Sequence, residues 1–351
     1  MEKKVLIIIV TYNSENFIER CLFSIANQNY KNYSLFVIDN ASSDKTAEIV
    51  KNYRNAESRI PYSNFRFVKL NKNIGFAGAI NHVVFKIVLN RKNKKADFDL
   101  ILLINPDMIL DDFSIRNLAG VFSSDRKNNE QIANTRSSNI TGAAGGLILE
   151  YDRDIIQNMG GFILPNYVTY HKGAGSKLDV SKIIENDNEY LSSIEKINPD
   201  YITGAFFMTP FDLFKKLGGF DSGYRPAYFE ELDYCLKVRK SGFKITMEPS
   251  ALARHFEGAS TGKFSKNFYY FYHKNRIRCV VVNSGCINIF KIFFNLEPKW
   301  LKSQATKDQV IPLAKAYLIN SFFFLFNLLL KFRNSWRILK IRKSYKSLSN
   351  N

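Results

Sequence analysis

The sequence predicts an α/β fold: a mostly parallel, Rossmann-like sheet flanked by helices, followed by a helical, aromatic and basic C-terminal extension. Three observations predict it. Apolar, β-branched runs alternate with segments of helical spacing through the first third of the chain. The successive strands end in polar or acidic clusters: Thr11-Tyr12-Asn13, Asp39-Asn40-Ala41-Ser42-Ser43-Asp44 and Asn105-Pro106-Asp107. The last 90 or so residues abandon the alternation and become aromatic and basic.

The elements follow in order. Val5–Val10 is apolar and β-branched, too short for a membrane span and followed by no small-residue cleavage site, so it reads as a first strand. Ser14 can cap a helix with apolar positions Phe17, Ile18, Cys21, Leu22 and Ile25. Tyr33–Ile38 is a second strand, and Ser43 or Asp44 caps the helix that follows. Phe65–Leu70 is a third, leading through a Gly/Asn loop to an amphipathic segment over Ala79–Leu89. Leu100–Ile104 reads as a fully buried strand.

Ala143–Leu149 and Tyr201–Met208 read as strands, with the charged stretch Lys177–Asn198 between them as an exposed loop or short helix. Helices are expected over Phe211–Leu217, stopped by Gly218-Gly219, and over Glu230–Ser241, stopped by Gly242. Lys244–Met247 is one more strand. Domain limits are set at 1–262 for the α/β unit, with halves of about 1–125 and 126–262, and 263–351 for the extension.

With 351 residues and 46% apolar content, the chain can build a sizeable core. Its net charge of +18 implies an anionic partner. Much of the excess lies at the C-terminus, and no nucleic-acid module is recognisable, so nucleic acid is not the expected partner. Cys21, Cys235, Cys279 and Cys286 have no CxxC spacing, which implies neither a zinc site nor a disulfide framework. An unexported, cytosolic-facing protein is expected. Ala316–Leu330 carries no charge, and Lys331–Lys346 holds seven Lys/Arg and no acid. That pair suits the surface of an anionic membrane; packing on the core or on a dimer partner is the alternative.

Carboxylates at the carboxyl ends of buried strands lie where open α/β sheets bind ligands. Asp107 could meet a nucleotide's phosphates through a divalent cation. Asp39 could accept a hydrogen bond from a base or ribose, and Asp44 reads as a helix cap. The run Asn73-Ile74-Gly75-Phe76-Ala77-Gly78 lets backbone approach a ligand, although it is neither a Walker loop nor a dinucleotide fingerprint. Glu230, Glu231 and Asp233 open a helix whose dipole favours them, and one of them could be a general base. His255 gains a role only if it converges on Asp107. His82 is assigned no role, and only a nearby glycine pair recommends His171.

Together these residues resemble glycosyltransferase family 2, with the GT-A fold, over roughly residues 4 to 280. Val10-Thr11-Tyr12-Asn13, the Asp39–Asp44 cluster and Asn73–Gly78 carry the family likeness. Asn105-Pro106-Asp107, Thr203-Gly204-Ala205, Gly218-Gly219-Phe220-Asp221, Glu230-Glu231-Leu232-Asp233 and His255 are similar to its rhamnosyltransferase-like branch.

The resemblance implies that Thr11, Tyr12 and Asn13 line the nucleotide pocket and that Asp39 contacts the base. Asn73, Gly75 and Phe76 would lie near the nucleotide or ribose. Asp107 matches the last acid of the family's DxD motif, and His255 a histidine that can complete a Mg²⁺ or Mn²⁺ shell. Glu231 falls at the catalytic base. Two departures are Asn105 in place of the first DxD acid and Glu231 where Asp is usual; the second leaves Glu230 and Asp233 as alternative bases.

The implied activity is inverting transfer of a sugar from a nucleotide donor, dTDP-rhamnose or a UDP-sugar, to a lipid-linked or growing surface glycan. It would take place at the inner face of the cell membrane. A nucleotidyltransferase would want a Gly- and Lys/Arg-rich loop directly after the first strand, where Thr11-Tyr12-Asn13-Ser14-Glu15 stands instead. A non-catalytic nucleotide-sugar-binding scaffold is the remaining alternative.

Overall fold

Four strands, β1 (Val5–Thr11), β2 (Tyr33–Asp39), β3 (Phe65–Lys69) and β4 (Leu100–Ile104), pair in parallel in the order β3–β2–β1–β4. The computed structural model describes residues 2–55, 60–90, 97–129, 140–185, 187, 189–190, 194, 197–256 and 265–348. The crossovers that parallel pairing needs include α1 (Ile18–Asn27), α2 (Thr46–Asn55) and α3 (Phe76–Asn81), the last running on as a π-helical turn to Val88. These strands are apolar at nearly every position because both sheet faces are covered. Ile8 and Leu103 belong to the core on one face, Ile7 and Leu102 to the core on the other.

Beyond β4 the sheet becomes mixed. In chain order come β5 (Met108–Leu110), α4 (Ser114–Asn129), β6 (Thr141–Glu150), β7 (Ile156–Asn158), β8 (Gly161–Ile163) and β9 (Thr169–His171). Then follow α5 (Val180–Ile184), β10 (Phe206–Pro210), α6 (Phe211–Leu217), α7 (Glu230–Lys240) and β11 (Lys244–His255). β10 runs antiparallel between β4 and β6, and β11 lies parallel to β6 and antiparallel to β5. Because β10 opposes β4, its first residue Phe206 sits at the carboxyl end of β4, opposite Ile104. This is the GT-A fold.

Three sequence expectations are adjusted. The strand expected over Tyr201–Met208 begins only at Phe206; before it, Ala205 uses its carbonyl to take the Asn105 N–H at 3.0 Å. The strand expected to end at Met247 runs to His255, because a register shift between Glu248 and Leu252 accommodates Pro249 without ending the pairing. In the charged stretch 177–198 the expected short helix is α5, but among the described residues Leu178, Ile183, Ile194 and Ile197 are buried and not exposed. The expected limit at residue 262 lies outside the described residues.

The C-terminal region is helical: α8 (Lys266–Asn283), α9 (Cys286–Lys291), α10 (Glu297–Ser303), α11 (Lys307–Phe322) and α12 (Phe324–Leu348). A buried ion pair, Arg276 with Glu297, knots it together. Arg276 also donates to Asn166 O at 2.8 Å, and Tyr317 donates to Glu297 at 2.7 Å. Removing one partner of such a buried pair costs more than the pair itself contributes. The apolar stretch around residues 316–330 is therefore not one helix: α11 and α12 meet at Phe323 with a 69° bend. Among the described residues no single helix is long and apolar enough to cross a membrane, although this bent pair passes by length and composition.

Candidate active site

The carboxyl ends of β1, β2 and β4 and the start of β10 meet at one end of the sheet. At the end of β4, Asn105-Pro106-Asp107 forms a tight turn closed by Met108 N–H to Asn105 O at 3.2 Å. β11 pairs with β5 so that His255 lies opposite Met108. This register delivers His255 Nε2 to 3.2 Å from Asp107 Oδ1. The other ring nitrogen, Nδ1, lies 2.6 Å from Gln157 Oε1, on edge strand β7. In the tautomer with its proton on Nδ1, the ring turns an Nε2 lone pair toward the Asp107 carboxylate, and two acceptors so placed would suit a cation.

The loop after β2 is built around Asp39, which has no exposed surface. Its carboxylate accepts from Thr11 Oγ1 at 3.2 Å, from Ser42 N–H at 3.3 Å and from the Ser42 hydroxyl. A base reaches Asp39 only if Ser42 yields. Thr11 is likewise buried, whereas Tyr12 and Asn13 are exposed at the rim. Asn13 takes a left-handed backbone (φ 51°) and its side chain accepts from Ser43 N–H at 2.9 Å. Of the three residues expected to line a nucleotide pocket, the structure thus offers Tyr12 and Asn13, with Thr11 supporting them from below.

Next to this loop, Asn40 donates to Asn73 Oδ1 at 2.9 Å, and Asn73 Oδ1 also takes the Gly75 N–H at 2.9 Å. Gly75 (φ 78°) meets Arg225 and Pro226 so closely that an added Cβ would lie 3.2 Å from each. Phe76 N–H donates to Pro226 O at 3.3 Å, and the Arg225 guanidinium donates to Asn73 O at 3.2 Å. The Asn73–Phe76 loop and the chain before α7 therefore form one wall.

The three acids of α7 part company by helical spacing. Glu230 and Asp233, three residues apart, share the buried face; Glu231 turns away from it and is half-buried. Asp233 is fully buried, 3.0 Å from Lys237 Nζ, and accepts from Asn283 Nδ2 at 2.7 Å. Its carboxylate is engaged in the core by these two partners. Glu230 is buried with Oε2 unpartnered. Burial, then the neighbouring Glu231 carboxylate, push its pKa well above the usual carboxylate range.

Glu231 has a pKa raised by burial, with its own N–H and that of Gly204 acting the other way. A Cβ on Gly204 would fall 3.1 Å from the Phe76 ring and 3.9 Å from the Glu231 carboxyl carbon. Gly204-Ala205 is thus the hinge of the site. Gly204 faces Phe76 and Glu231, while Ala205 binds the turn that carries Asp107.

Residues 6–170 match the family model described as glycosyl transferase family 2. The chain carries a family 2 glycosyltransferase domain. Rhamnosyltransferase WbbL of Escherichia coli (strain K12) is 22% identical over 274 residues, 78% of this chain and 91% of that protein. Glycosyltransferase GlyA of Streptococcus pneumoniae serotype 4 is 37% identical over 62 residues, 18% of this chain but only 9% of that protein. A crystal structure of GalNAc-T7 with UDP, GalNAc and Mn²⁺ superposes with a TM-score of 0.56 at 15% identity, covering 91% of this chain and 57% of that one.

Three residues of the site carried no sequence signal, and a fourth carried only a family likeness. Gln157 lies on a three-residue strand. Arg225 belongs to an irregular loop. Gly204 was legible only as part of a resemblance. Asn275, on α8, donates through Nδ2 to the carbonyls of Tyr224 (2.6 Å), Ala227 (2.8 Å) and Tyr228 (3.0 Å). Lys274 Nζ donates to Arg225 O. These bonds clamp the segment in which Tyr228 and Phe229 both take left-handed backbone, φ 80° and 76°, just before Glu230. Such strain persists only where surrounding structure enforces it. The C-terminal region thus helps to hold the candidate base in place.

The donor set fits a divalent cation. Two cis ligands of an octahedral ion with bonds of roughly 2.1 Å lie about 3 Å apart, close to the 3.2 Å between His255 Nε2 and Asp107 Oδ1. Among the described residues no cluster of three or more His, Cys, Asp or Glu forms a metal cage. The remaining positions suit phosphate oxygens and water, as in nucleotide-bound Mg²⁺ sites.

Proposed function

We propose that this chain is an inverting, metal-dependent glycosyltransferase. It transfers one sugar, rhamnose from dTDP-rhamnose as the first candidate, to a hydroxyl of a lipid-linked or growing surface polysaccharide. The observation that carries the proposal is the meeting of Asp107 and His255 at 3.2 Å on the turn that Ala205 ties to Gly204, beside Glu231. Rhamnose is favoured by the likeness to rhamnosyltransferase WbbL, 91% of whose length this chain matches. UDP-sugars remain the second donor class, since UDP is bound in the GalNAc-T7 structure.

In this reading the base and ribose occupy the rim formed by Tyr12, Asn13 and the Asn73–Phe76 loop, with Asp39 and Thr11 fixing that rim. Asp107 and His255 would hold Mg²⁺ or Mn²⁺, which when bound offsets the charge of the diphosphate. Glu231 takes the proton of the acceptor hydroxyl. That oxygen forms a bond to the anomeric carbon from the face opposite the diphosphate, and the bond from that carbon to the diphosphate oxygen breaks, inverting the centre. A raised pKa suits Glu231 to this work, because a general base acts best when its pKa is near the working pH. The exposed, basic C-terminal helices would keep the enzyme on the cytoplasmic face of the membrane, beside a lipid-borne acceptor.

A thermal-shift screen of nucleotide diphosphates and their sugars with Mn²⁺ tests the donor, since a ligand bound by the native state raises the melting temperature. A larger shift with dTDP than with UDP supports the rhamnose donor, and the reverse supports a UDP-sugar. Binding without turnover of any nucleotide sugar would favour a non-catalytic scaffold.

A further inference from the structure

α12 is more apolar on its exposed face than on its buried one. Its inward face carries Asn327, Leu330, Asn334, Ile338 and Ile341, all buried. Two asparagines therefore sit where apolar residues are expected. The opposite face carries Leu325, Leu329, Phe332, Trp336 and Leu339, exposed by 55–75%. Their spacing of four, three, four and three residues makes one continuous helical stripe, about 21 Å long at the usual rise per residue. At its N-terminal end the 69° bend at Phe323 presents Phe322, which is 81% exposed. An apolar stripe of this extent on a helix surface marks an interaction site.

Charge decides between the two candidate partners. A four-three apolar stripe can pair with a second copy of itself, and stable pairing of that kind relies on opposite charges flanking the seam. Here the flanking residues are Arg333, Lys340, Arg342 and Lys343, and residues 309–351 contain eight Lys/Arg and no acid. Self-pairing would set like charges against each other with nothing to offset them. An anionic lipid surface offers the complement: apolar depth for the stripe and negative headgroups for the bases. Lys340 Nζ lies 3.6 Å from the centre of the Trp336 ring, an arrangement that puts an indole and its cation together at headgroup depth.

We infer that the outer stripe of α12, with the Phe322 corner, is an in-plane docking face for an anionic bilayer. The inference rests on the reading that the chain works at a membrane-borne acceptor, and gives that contact a defined surface. It also joins the membrane to the site. Arg278 donates to Asp221 Oδ2 at 2.6 Å, in the loop leading to α7, and to Asn327 on the inner face of α12.

The tryptophans supply a direct test, because Trp300 is buried and Trp336 is 57% exposed. The full chain is mixed with phosphatidylcholine vesicles with and without phosphatidylglycerol, and vesicle flotation, tryptophan emission and solution mass are recorded. The expected result is flotation with the anionic vesicles only, weakened by salt, with a blue shift of emission that disappears in Trp336→Phe. Phe332→Glu/Trp336→Glu should lower vesicle affinity at least tenfold while leaving mass and melting temperature unchanged. Flotation with no blue shift, or undiminished in the double variant, would overturn the docking face and leave the membrane reading standing. Absence of flotation by the native chain would remove both. A native dimer that the double variant dissociates would assign the stripe to self-association.

Discussion

Gln157 Oε1 stands 2.6 Å from His255 Nδ1, and an amide oxygen so placed favours the tautomer with its proton on that nitrogen. That tautomer turns the lone pair of Nε2 toward Asp107 Oδ1, 3.2 Å away. Partners of this kind orient a ligating histidine, and their loss typically costs about 10–100-fold in metal affinity. Gln157→Ala should therefore weaken Mn²⁺ activation of transfer by that order while leaving metal-free nucleotide binding unchanged. A metal titration of initial rates measures it.

The raised pKa of Glu231 has a kinetic signature. A general base must be deprotonated, so the rate falls as pH drops through its pKa. Burial raises that pKa, and the acid limb of kcat/KM should therefore lie above the ordinary Glu value of about 4.3. Glu231→Gln should remove transfer, by at least about 100-fold, and retain donor binding by calorimetry.

Glu230 makes a prediction about stability instead. Its folded-state pKa is raised well above the unfolded one. The protonated form is therefore favoured in the native state, and its contribution is fully present below the unfolded pKa and lost as pH rises through the folded one. Melting temperature should decline over that window, and Glu230→Gln, which stays neutral, should flatten the decline. Paired pH series of thermal melts check the sign.

The clamp from α8 can be cut at one side chain. Asn275→Ala leaves the carbonyls of Tyr224, Ala227 and Tyr228 without their donor. The expected cost is about 1–3 kcal/mol of stability. Release of the strained Tyr228-Phe229 backbone should also lower kcat, because it displaces Glu231. Denaturant unfolding combined with steady-state kinetics reads both effects.

What the sequence disclosed follows from what each feature depends on. β1, β2 and β4 were legible because burial on both faces leaves uninterrupted apolar runs. Asp107 was legible because a polar turn closes such a run. The full length of β11 was hidden by Pro249, whose usual meaning is a strand end, and which a register shift absorbs here. The parting of Glu230, Glu231 and Asp233 could not be read from their clustering, since it depends on which face of α7 meets the core. Gln157 and Asn275 act through contacts 98 and 47–51 residues away in sequence, and their residue types carry no local pattern. On α12 composition does not reveal the division of faces: Leu330, Ile338 and Ile341 are buried with two asparagines, whereas Leu325, Leu329, Phe332, Trp336 and Leu339 lie outside.

The most direct test of the account is a calorimetric titration of dTDP and UDP, with and without Mn²⁺, into the native chain, Asp107→Asn and His255→Ala. The account predicts that Mn²⁺ tightens binding of at least one nucleotide by about tenfold or more, near 1.4 kcal/mol, in the native chain. Both variants should lose that increment and keep the metal-free affinity. Native binding indifferent to Mn²⁺, or an Asp107→Asn variant that keeps the whole increment, would contradict it.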